Sequence, residues 1–241
     1  MKVIILAGGK GERLSPFTSN CPKGMLKIEG KPILEYQLEW LKKYNLTEII
    51  FACGYLSEVI KNYFSDGSKF GVKINYSIEN EPLGRGGAIK KAWDLIRTSE
   101  PVIVLNGDIF TEMNLNQAIH IHKEQIGILA TICLFPYKSP YGIVRLNKDS
   151  MVESFEEKRT LPFWVNGGIY VFEHGVKTYL PNKGDHEITT FPELAKRGLL
   201  HGYKCLDYWK GIDTVKDLNE FSSDRKNLSL ISNAVGSLKP D

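Results

Sequence analysis

Apolar residues in the first half of the chain alternate between short continuous runs and helical repeats. Continuous runs bounded by turn residues are typical of strands buried on both faces, and apolar residues three and four positions apart are typical of helices. The predicted strands are Val3–Ala7, Glu48–Cys53, Val72–Ile78 and Pro101–Leu105, and the predicted helices are Pro32–Tyr44, Ser57–Phe64, Gly86–Arg97 and Asn114–Lys123. This alternation predicts an α/β fold with a mixed, mostly parallel twisted sheet and helices on both faces.

The pattern changes near residue 126, where strands separated by short turns replace the alternation. The predicted strands of this part are Ile126–Phe135, Gly142–Leu146, Met151–Glu156 and Gly168–Phe172. They predict a β-rich lobe joined to the α/β half without a linker. We therefore expect one domain over residues 1–241, with halves 1–125 and 126–221 and a polar tail 222–241 that is rich in Ser, Asn and Lys.

Composition narrows the class of protein. The 241 residues are 42% hydrophobic and 24% charged, which excludes a disordered chain or a disulfide-stapled mini-protein. The net charge of +3 is too small to predict nucleic acid or an anionic membrane as a partner, and no apolar run has the length of a membrane helix. Four widely spaced cysteines predict reduced thiols in a cytoplasm. His120 and His122 stand two residues apart, which predicts a solvated helix surface rather than a metal site.

A glycine-rich loop, Gly8-Gly9-Lys10-Gly11, follows the first predicted strand. Glycines let backbone N–H groups approach an anion, so the loop is either a phosphate-binding nest or a turn that merely uses glycine. The dinucleotide fingerprint fails because Leu14 occupies its third glycine position, and the P-loop ending Gly-Lys-Ser/Thr is absent. An oxidoreductase could use a Tyr-x-x-x-Lys pair on one helical turn, and Tyr179 and Lys183 have that spacing. Pro181 lies between them and disfavours a helical turn there, so an oxidoreductase is disfavoured as well. The cations Arg13 and Lys23 favour the phosphate interpretation.

The run Gly-Gly-x-Gly-x-Arg-Leu-x-Pro, with Pro22-Lys23 after it, resembles the signature of sugar-1-phosphate nucleotidylyltransferases. The resemblance implies their Rossmann-like nucleotidyltransferase fold with a sugar-binding lobe. It also implies their reaction, in which a nucleoside triphosphate and a sugar 1-phosphate give a nucleotide sugar and pyrophosphate. Arg13 and Lys23 then correspond to catalytic cations. The nucleotide-binding residues that it implies in this region are Leu6, Ala7, Gly8, Gly9 and Gly11.

A carboxylate, Asp108, follows the predicted strand Pro101–Leu105, where parallel sheets place their ligands. By itself it could equally be a turn or helix-capping residue. The resemblance implies that it is catalytic and holds Mg²⁺. The second metal ligand of the family usually stands where this chain has Gly211, and Asp213 is a carboxylate two residues further on. Since a shift of two residues along a strand keeps the same face, we expect Asp213 to reach the metal.

The segment Glu79–Gly87 resembles the base-reading loop of mannose- and heptose-phosphate guanylyltransferases, with Glu79, Pro82 and Gly84 as its nucleotide-binding residues. A carboxylate only accepts hydrogen bonds, and guanine presents two adjacent donors, so Glu79 favours GTP. UTP, dTTP and CTP remain alternatives. Arg85 stands where threonine is usual, and we expect it to contact a phosphate or point to solvent.

Three later segments resemble the sugar-facing parts of the family. They imply a sugar-phosphate site at Gly142, Glu157, Lys158, Asn166 and Gly167. Taken alone, the charged pair Glu157-Lys158 also fits the ordinary end of a strand. The implied partners are the two small-molecule substrates, with Mg²⁺ as cofactor, and a homo-oligomer is compatible with the sequence. Mannose 1-phosphate and a heptose 1-phosphate are the leading sugars. Gly24 and Gly211 depart from the family pattern, which keeps a non-catalytic nucleotide-sugar-binding regulator as the alternative function.

Overall fold

In the computed structural model, which describes residues 1–223, strands from both halves of the chain form one seven-stranded sheet. The strands and helices, in chain order, are β1 (Lys2–Leu6), β2 (Lys27–Ile28), β3 (Lys31–Pro32), α1 (Ile33–Lys42), β4 (Glu48–Cys53), α2 (Ser57–Phe64), β5 (Lys73–Ile78), α3 (Gly84–Ala92), β6 (Val102–Asn106), β7 (Ile109–Thr111), α4 (Leu115–Glu124), β8 (Ala130–Lys138), β9 (Ile143–Leu146), β10 (Val152–Glu156), β11 (Thr160–Phe172), α5 (Thr190–Lys196), β12 (Leu200–Lys204) and β13 (Trp209–Gly211). Residues 215–223 are helical.

The large sheet has the order β12-β8-β11-β6-β1-β4-β5. Strand β1 pairs in parallel with β4 and β6, β4 with β5, and β12 with β8, whereas β11 is antiparallel to both of its neighbours. The predicted α/β fold with a mixed, mostly parallel sheet is therefore confirmed. Outside this sheet, β9 and β10 form an antiparallel hairpin, and β13 pairs with β7.

Helices cover both faces of the sheet because the central strands are apolar on both sides. In β1, Val3 and Ile5 point to one face and Ile4 to the other, as the two-residue period of a strand requires. The first face packs on α1, α2 and α4, and the second on α3 and α5. All three β1 side chains are fully buried, so the strand is held from both sides.

The predicted strand Ile126–Phe135 begins too early. Ile126 is fully exposed and Gly127 has a φ of +84°, so the chain turns there and β8 begins at Ala130. The predicted strand Gly168–Phe172 is too short, because β11 begins at Thr160 and passes an irregularity between Asn166 and Tyr170.

Three further features concern the predictions from composition. Cys53, Cys133 and Cys205 are buried free thiols, and Cys21 is half-buried. Within residues 1–223 no helix combines the length and the apolar character needed to cross a bilayer. The predicted tail lies outside the described residues from position 224 onward.

Candidate active site

The carboxyl ends of β1, β4, β5 and β6 lie at one edge of the sheet because these strands are parallel. The loops that follow them are joined by backbone hydrogen bonds. Gly107 N–H donates to the Leu6 carbonyl at 2.8 Å, and Tyr55 N–H donates to the Gly8 carbonyl at 3.2 Å. The glycine loop, the Glu79 segment and the Asp108 turn therefore meet at this edge.

The glycine loop contacts Lys23 directly. Gly11 has a φ of +64°, a conformation that favours glycine, and a Cβ there would lie 3.1 Å from Lys23 Cβ. The buried Thr18 hydroxyl donates to the Gly11 carbonyl at 2.9 Å and holds the loop from the other side. Gly9, in contrast, faces open space and is exposed. The loop is thus fixed at Gly11 and open at Gly9, which suits close approach of a ligand to its backbone.

Four charged side chains predicted from the sequence come together beside this loop. Lys23 Nζ lies 2.6 Å from Asp108 Oδ2 and 2.5 Å from Asp213 Oδ1. Arg13 Nη2 lies 2.8 Å from the same Asp213 oxygen. The Lys23 side chain is largely buried, with 12% exposed, while the Arg13 side chain is 72% exposed. A cation thus bridges two carboxylates at the carboxyl edge of the sheet.

Asp213 reaches the cluster through the small sheet of β7 and β13. Gly211 lies opposite Ile109, and Ile212 N–H donates to the Asp108 carbonyl at 2.9 Å. Asp213 follows β13 rather than lying within it, so the argument from strand alternation does not apply, although the residue does arrive beside Asp108. A Cβ at Gly211 would meet only the Trp209 ring, at 3.5 Å, so a side chain would fit there.

A buried glutamine that the sequence analysis missed holds the Asp108 turn. Gln37, on α1, donates from Nε2 to the carbonyls of Asn106 at 2.8 Å and Ile109 at 2.9 Å. These carbonyls stand on either side of Asp108. The available signal was a polar residue on an apolar helix face, since Leu34, Gln37 and Leu41 share one side of α1.

The Glu79 carboxylate lies against the glycine loop. A Cβ at Gly8 would meet Glu79 Oε1 at 3.0 Å, and one at Gly54 would meet it at 2.5 Å, so both positions leave room for the carboxylate. Glu79 Oε2 accepts a hydrogen bond from Leu83 N–H at 3.2 Å. Burial raises the pKa of the Glu79 carboxyl above its usual value, and the Leu83 hydrogen bond and Lys91 partly oppose that shift. Pro82 lies in the same exposed loop, and Gly84, which is also exposed, begins α3.

Arg85 is exposed, and its guanidinium pairs with Asp185 at 3.1 Å and with Glu187 at 2.8 Å, both carboxylates of the second half of the chain. The expectation for His122 is wrong, because the residue is buried. Its Nδ1 lies 2.8 Å from Thr131 Oγ1 and its Nε2 lies 3.2 Å from Glu173 Oε1.

The predicted sugar-phosphate residues lie on β11 and around the β9–β10 hairpin. Gly142 precedes β9 under the Phe155 ring, where a Cβ would approach to 2.3 Å. Glu157 and Lys158 follow β10 and are exposed, and Lys158 Nζ lies 3.5 Å from Glu220 Oε1. The hairpin register, with Glu156 opposite Ile143, brings its two ends together.

The other two predicted sugar residues are adjacent on β11. Asn166 Nδ2 donates to the Tyr170 hydroxyl at 2.9 Å, and the Gly167 carbonyl accepts from Trp209 Nε1 at 2.8 Å. Because Trp209 belongs to β13, this contact ties the sugar side to the strand that carries Asp213. Lys158 pairs with Glu220, whereas Arg13 and Lys23 both pair with Asp213. The three predicted cations therefore do not share one carboxylate.

The donor set of the cluster fits a hard divalent cation. Among residues 1–223 no three His, Cys, Asp or Glu side chains gather as a complete metal site. Asp108 and Asp213 are nevertheless carboxylates that meet on one ammonium group. Mg²⁺ in proteins is commonly bound through one or two carboxylates together with substrate phosphates, so two aspartates beside a glycine loop suit it.

Comparison with known proteins gives the family of this chain. Residues 2–227 match the model of the family described as nucleotidyl transferase. A D-glycero-alpha-D-manno-heptose 1-phosphate guanylyltransferase from Campylobacter jejuni is 42% identical over 172 residues, which are 71% of this chain and 75% of that protein. A UTP–glucose-1-phosphate uridylyltransferase from Synechocystis is 34% identical in an alignment 238 positions long, which covers 90% of this chain and 61% of that protein.

A solved structure gives the same result for the fold. HddC from Yersinia pseudotuberculosis, complexed with GMP-PN, has a TM-score of 0.73 and 27% identity, and the match covers 92% of this chain and 98% of that one. The chain thus spans nearly all of this structure but less than two thirds of the Synechocystis relative. The predicted resemblance to guanylyltransferases is confirmed.

Proposed function

This chain belongs to the nucleotidyl transferase family, and we propose that it transfers a nucleotidyl group from a nucleoside triphosphate to a sugar 1-phosphate, with release of pyrophosphate. The single observation that carries the proposal is the bridge that Lys23 makes between Asp108 and Asp213 beside the glycine loop. Such a cluster offers a cation for phosphate and two carboxylates for a divalent metal ion at one place.

The chemistry needs positioning and charge neutralisation more than an activated side chain. A phosphate monoester is already a nucleophile, so its oxygen attacks the α-phosphorus and pyrophosphate leaves with the electron pair of the broken bond. Lys23 holds the α-phosphate, Arg13 neutralises the leaving pyrophosphate and Lys158 binds the incoming sugar phosphate. The high exposure of Arg13 supports its assignment, because a ligand can reach this guanidinium.

Magnesium is the proposed cofactor, held by Asp108 and Asp213. When bound, Mg²⁺ neutralises charge on the phosphate oxygens and lowers the barrier to transfer. The Gln37 hydrogen bonds keep the Asp108 turn in place for this role, and the Ile212 hydrogen bond fixes the neighbouring Asp213 segment.

GTP is the favoured nucleotide because Glu79 is an acceptor-only side chain lying against the glycine loop. Each carboxylate oxygen can accept more than one hydrogen bond, so the Leu83 contact leaves capacity for the two donors of guanine. The guanylyltransferase relative and the GMP-PN complex support this choice. The uridylyltransferase relative keeps UTP as an alternative, and dTTP and CTP stay alternatives as well.

The remaining assignments are proposals of the same kind. The sugar is mannose 1-phosphate or a heptose 1-phosphate, bound near Gly142, Glu157, Lys158, Asn166 and Gly167. A cytoplasmic location and a homo-oligomeric assembly are consistent with the sequence.

The test is a coupled pyrophosphate assay with five nucleoside triphosphates and a panel of sugar 1-phosphates in the presence of Mg²⁺. We expect release with GTP and a manno-configured sugar 1-phosphate. The absence of release with every pair, together with measurable binding of a nucleotide sugar, would support the non-catalytic regulator instead.

A further inference from the structure

A segment of the second half of the chain, Pro181–Glu187, lies directly against the loop that carries Glu79. Gly184 N–H donates to the Leu83 carbonyl at 2.7 Å, and Gly86 N–H donates to the Gly184 carbonyl at 2.9 Å. The contact is too close for side chains, because a Cβ on Gly84 would lie 2.8 Å from the Gly184 backbone. The two segments are therefore joined backbone to backbone at this point.

Arg85 fastens the same two segments through its backbone and its side chain. Its N–H donates to Asp185 Oδ1 at 2.9 Å, its Nη2 to Asp185 Oδ2 at 3.1 Å, and its Nη1 lies 2.8 Å from Glu187 Oε1. Hydrogen bonds from Arg85 lower the pKa of the Asp185 carboxyl, so this group is ionised at neutral pH. A planar guanidinium shared by two carboxylates fixes direction as well as distance.

The segment is anchored in the core by the residue between these two acids. The His186 side chain is fully buried, and its ring lies 5.2 Å from the Tyr170 ring and 4.8 Å from the Phe191 ring. Because His186 is packed in the core, its neighbours Asp185 and Glu187 are held in place, and Arg85 pairs with carboxylates of fixed position.

The last link leads to Glu79. Its Oε2 accepts from Leu83 N–H, and the Leu83 carbonyl accepts from Gly184 N–H. The position of the carboxylate thus depends on Leu83, which depends on Pro181–Glu187. We propose that this segment, whose Asp185 and Glu187 pair with Arg85, positions the Glu79 carboxylate for guanine and so sets nucleotide selection. Asp185 is then a positioning residue, and the inference rests on the proposed function of Glu79.

The test compares kinetics with GTP and with UTP for the full chain and its Asp185→Ala variant. We expect the KM for GTP to rise about tenfold, as when a hydrogen bond to a charged group is weakened, with kcat changed much less. Because UTP does not present the two donors of guanine, its KM should change little, and the preference for GTP should fall by about the same factor.

Two further variants sharpen the comparison. Arg85→Ala removes the ion pairs with Asp185 and Glu187 but keeps the backbone N–H bond to Asp185. It should also lower the preference for GTP, and because both variants break the Arg85–Asp185 ion pair, the double variant should lose less than the sum of the two single losses. If Asp185→Ala does not fold, the comparison of GTP with UTP is made with Arg85→Ala instead. The matched control is Lys183→Ala, which breaks an exposed ion pair with Glu81 between the same two segments but lies outside the chain of contacts to Glu79. It should leave the preference unchanged.

The outcomes separate this inference from the proposed function. A wild-type chain that does not prefer GTP contradicts the role of Glu79 itself, and the inference fails with it. A wild-type chain that prefers GTP, with a preference that Asp185→Ala and Arg85→Ala leave intact, overturns the inference alone. An equal rise in KM for both nucleotides also overturns it, because general support of the loop would have that effect.

Discussion

Lys23 is the residue on which the candidate site depends most, because it contacts both aspartates and packs on the glycine loop. We expect Lys23→Ala to keep the fold and to lower the rate of pyrophosphate release by about 10²–10³, the usual effect of removing one donor from developing charge. The measurement is kcat in the coupled assay, with thermal unfolding as the check on folding. Lys31→Ala is the control, since Lys31 makes an ion pair of similar length, 2.6 Å, with Glu39. Normal turnover of Lys23→Ala would contradict its assignment.

Glu79 is expected to decide which base is accepted. Glu79→Gln replaces one acceptor by a donor that opposes guanine, and an unmatched buried polar group costs about 1–3 kcal/mol. The ratio of kcat/KM for GTP to that for UTP should therefore fall about tenfold or more. Glu81→Gln, two residues away in an exposed ion pair, should leave the ratio as it is. An unchanged ranking of nucleotides in Glu79→Gln would refute the base-reading role.

The same residue predicts a pH dependence. Burial raises the pKa of Glu79, so the carboxylate is protonated at a higher pH than an ordinary glutamate. Only the ionised form accepts from both donors of guanine, so the KM for GTP should rise as pH falls through this raised pKa. A KM–pH profile of the wild-type chain should show this acidic limb. The limb should be absent in Glu79→Gln, and its persistence there would assign it to another group.

At the scale of elements, the sequence predicts the strands and helices well where both faces are apolar. The strand Glu48–Cys53 and the helix Ser57–Phe64 have the predicted bounds. Short elements were missed, among them β7 and β13, because a three-residue strand has no period to detect. The pairing of these two strands brings Asp213 to Asp108, so this part of the site could be expected from a resemblance but not from periodicity.

Contacts between distant segments were likewise hidden from the sequence. Arg85 and Asp185 are 100 positions apart, and Gln37 lies 69 positions from Asn106. Nothing local in the sequence indicates which carbonyl a buried glutamine will bind or which carboxylate an arginine will meet. Such partners follow from the order of strands in the sheet, which local patterns leave open.

The link between α1 and the β6–β7 turn gives a prediction at this scale. Gln37→Leu should keep the helix packed, since leucine is apolar and of similar size, but it leaves the carbonyls of Asn106 and Ile109 without their donor. We expect a loss of about 1–3 kcal/mol in the free energy of unfolding, measured with urea. The Mg²⁺ concentration for half-maximal activity should also rise, because the turn that carries Asp108 is loosened. An unchanged Mg²⁺ requirement in a destabilised variant would limit Gln37 to a structural role.

At the scale of the whole molecule, the core on the face of the sheet covered by α3 and α5 contains residues from both halves of the chain, and a buried histidine packs beside it. Tyr170 and Phe172 of β11 and Phe191 of α5 surround His186, whose ring nitrogens make no hydrogen bond although Nδ1 lies 3.1 Å from Glu187 Oε2. Burial, with the positive charge of Arg85 as a second cause, lowers the pKa of His186 to about 3, and Asp185 partly opposes the shift. The folded protein therefore keeps this ring neutral at pH values where a free histidine is charged.

This difference predicts how stability depends on pH. Between the ordinary histidine pKa of 6.5 and the lowered value of about 3, the unfolded chain binds a proton that the folded chain does not. The free energy of unfolding should therefore fall as pH falls through this window, by up to ~1.4 kcal/mol per pH unit from this group alone. His186→Leu removes the contribution, so urea unfolding between pH 7 and pH 5 should show a shallower loss of stability in the variant. His120→Leu, at an exposed histidine, should follow the wild-type slope. Equal slopes for His186→Leu and the wild-type chain would mean that the His186 pKa is not lowered in the folded protein.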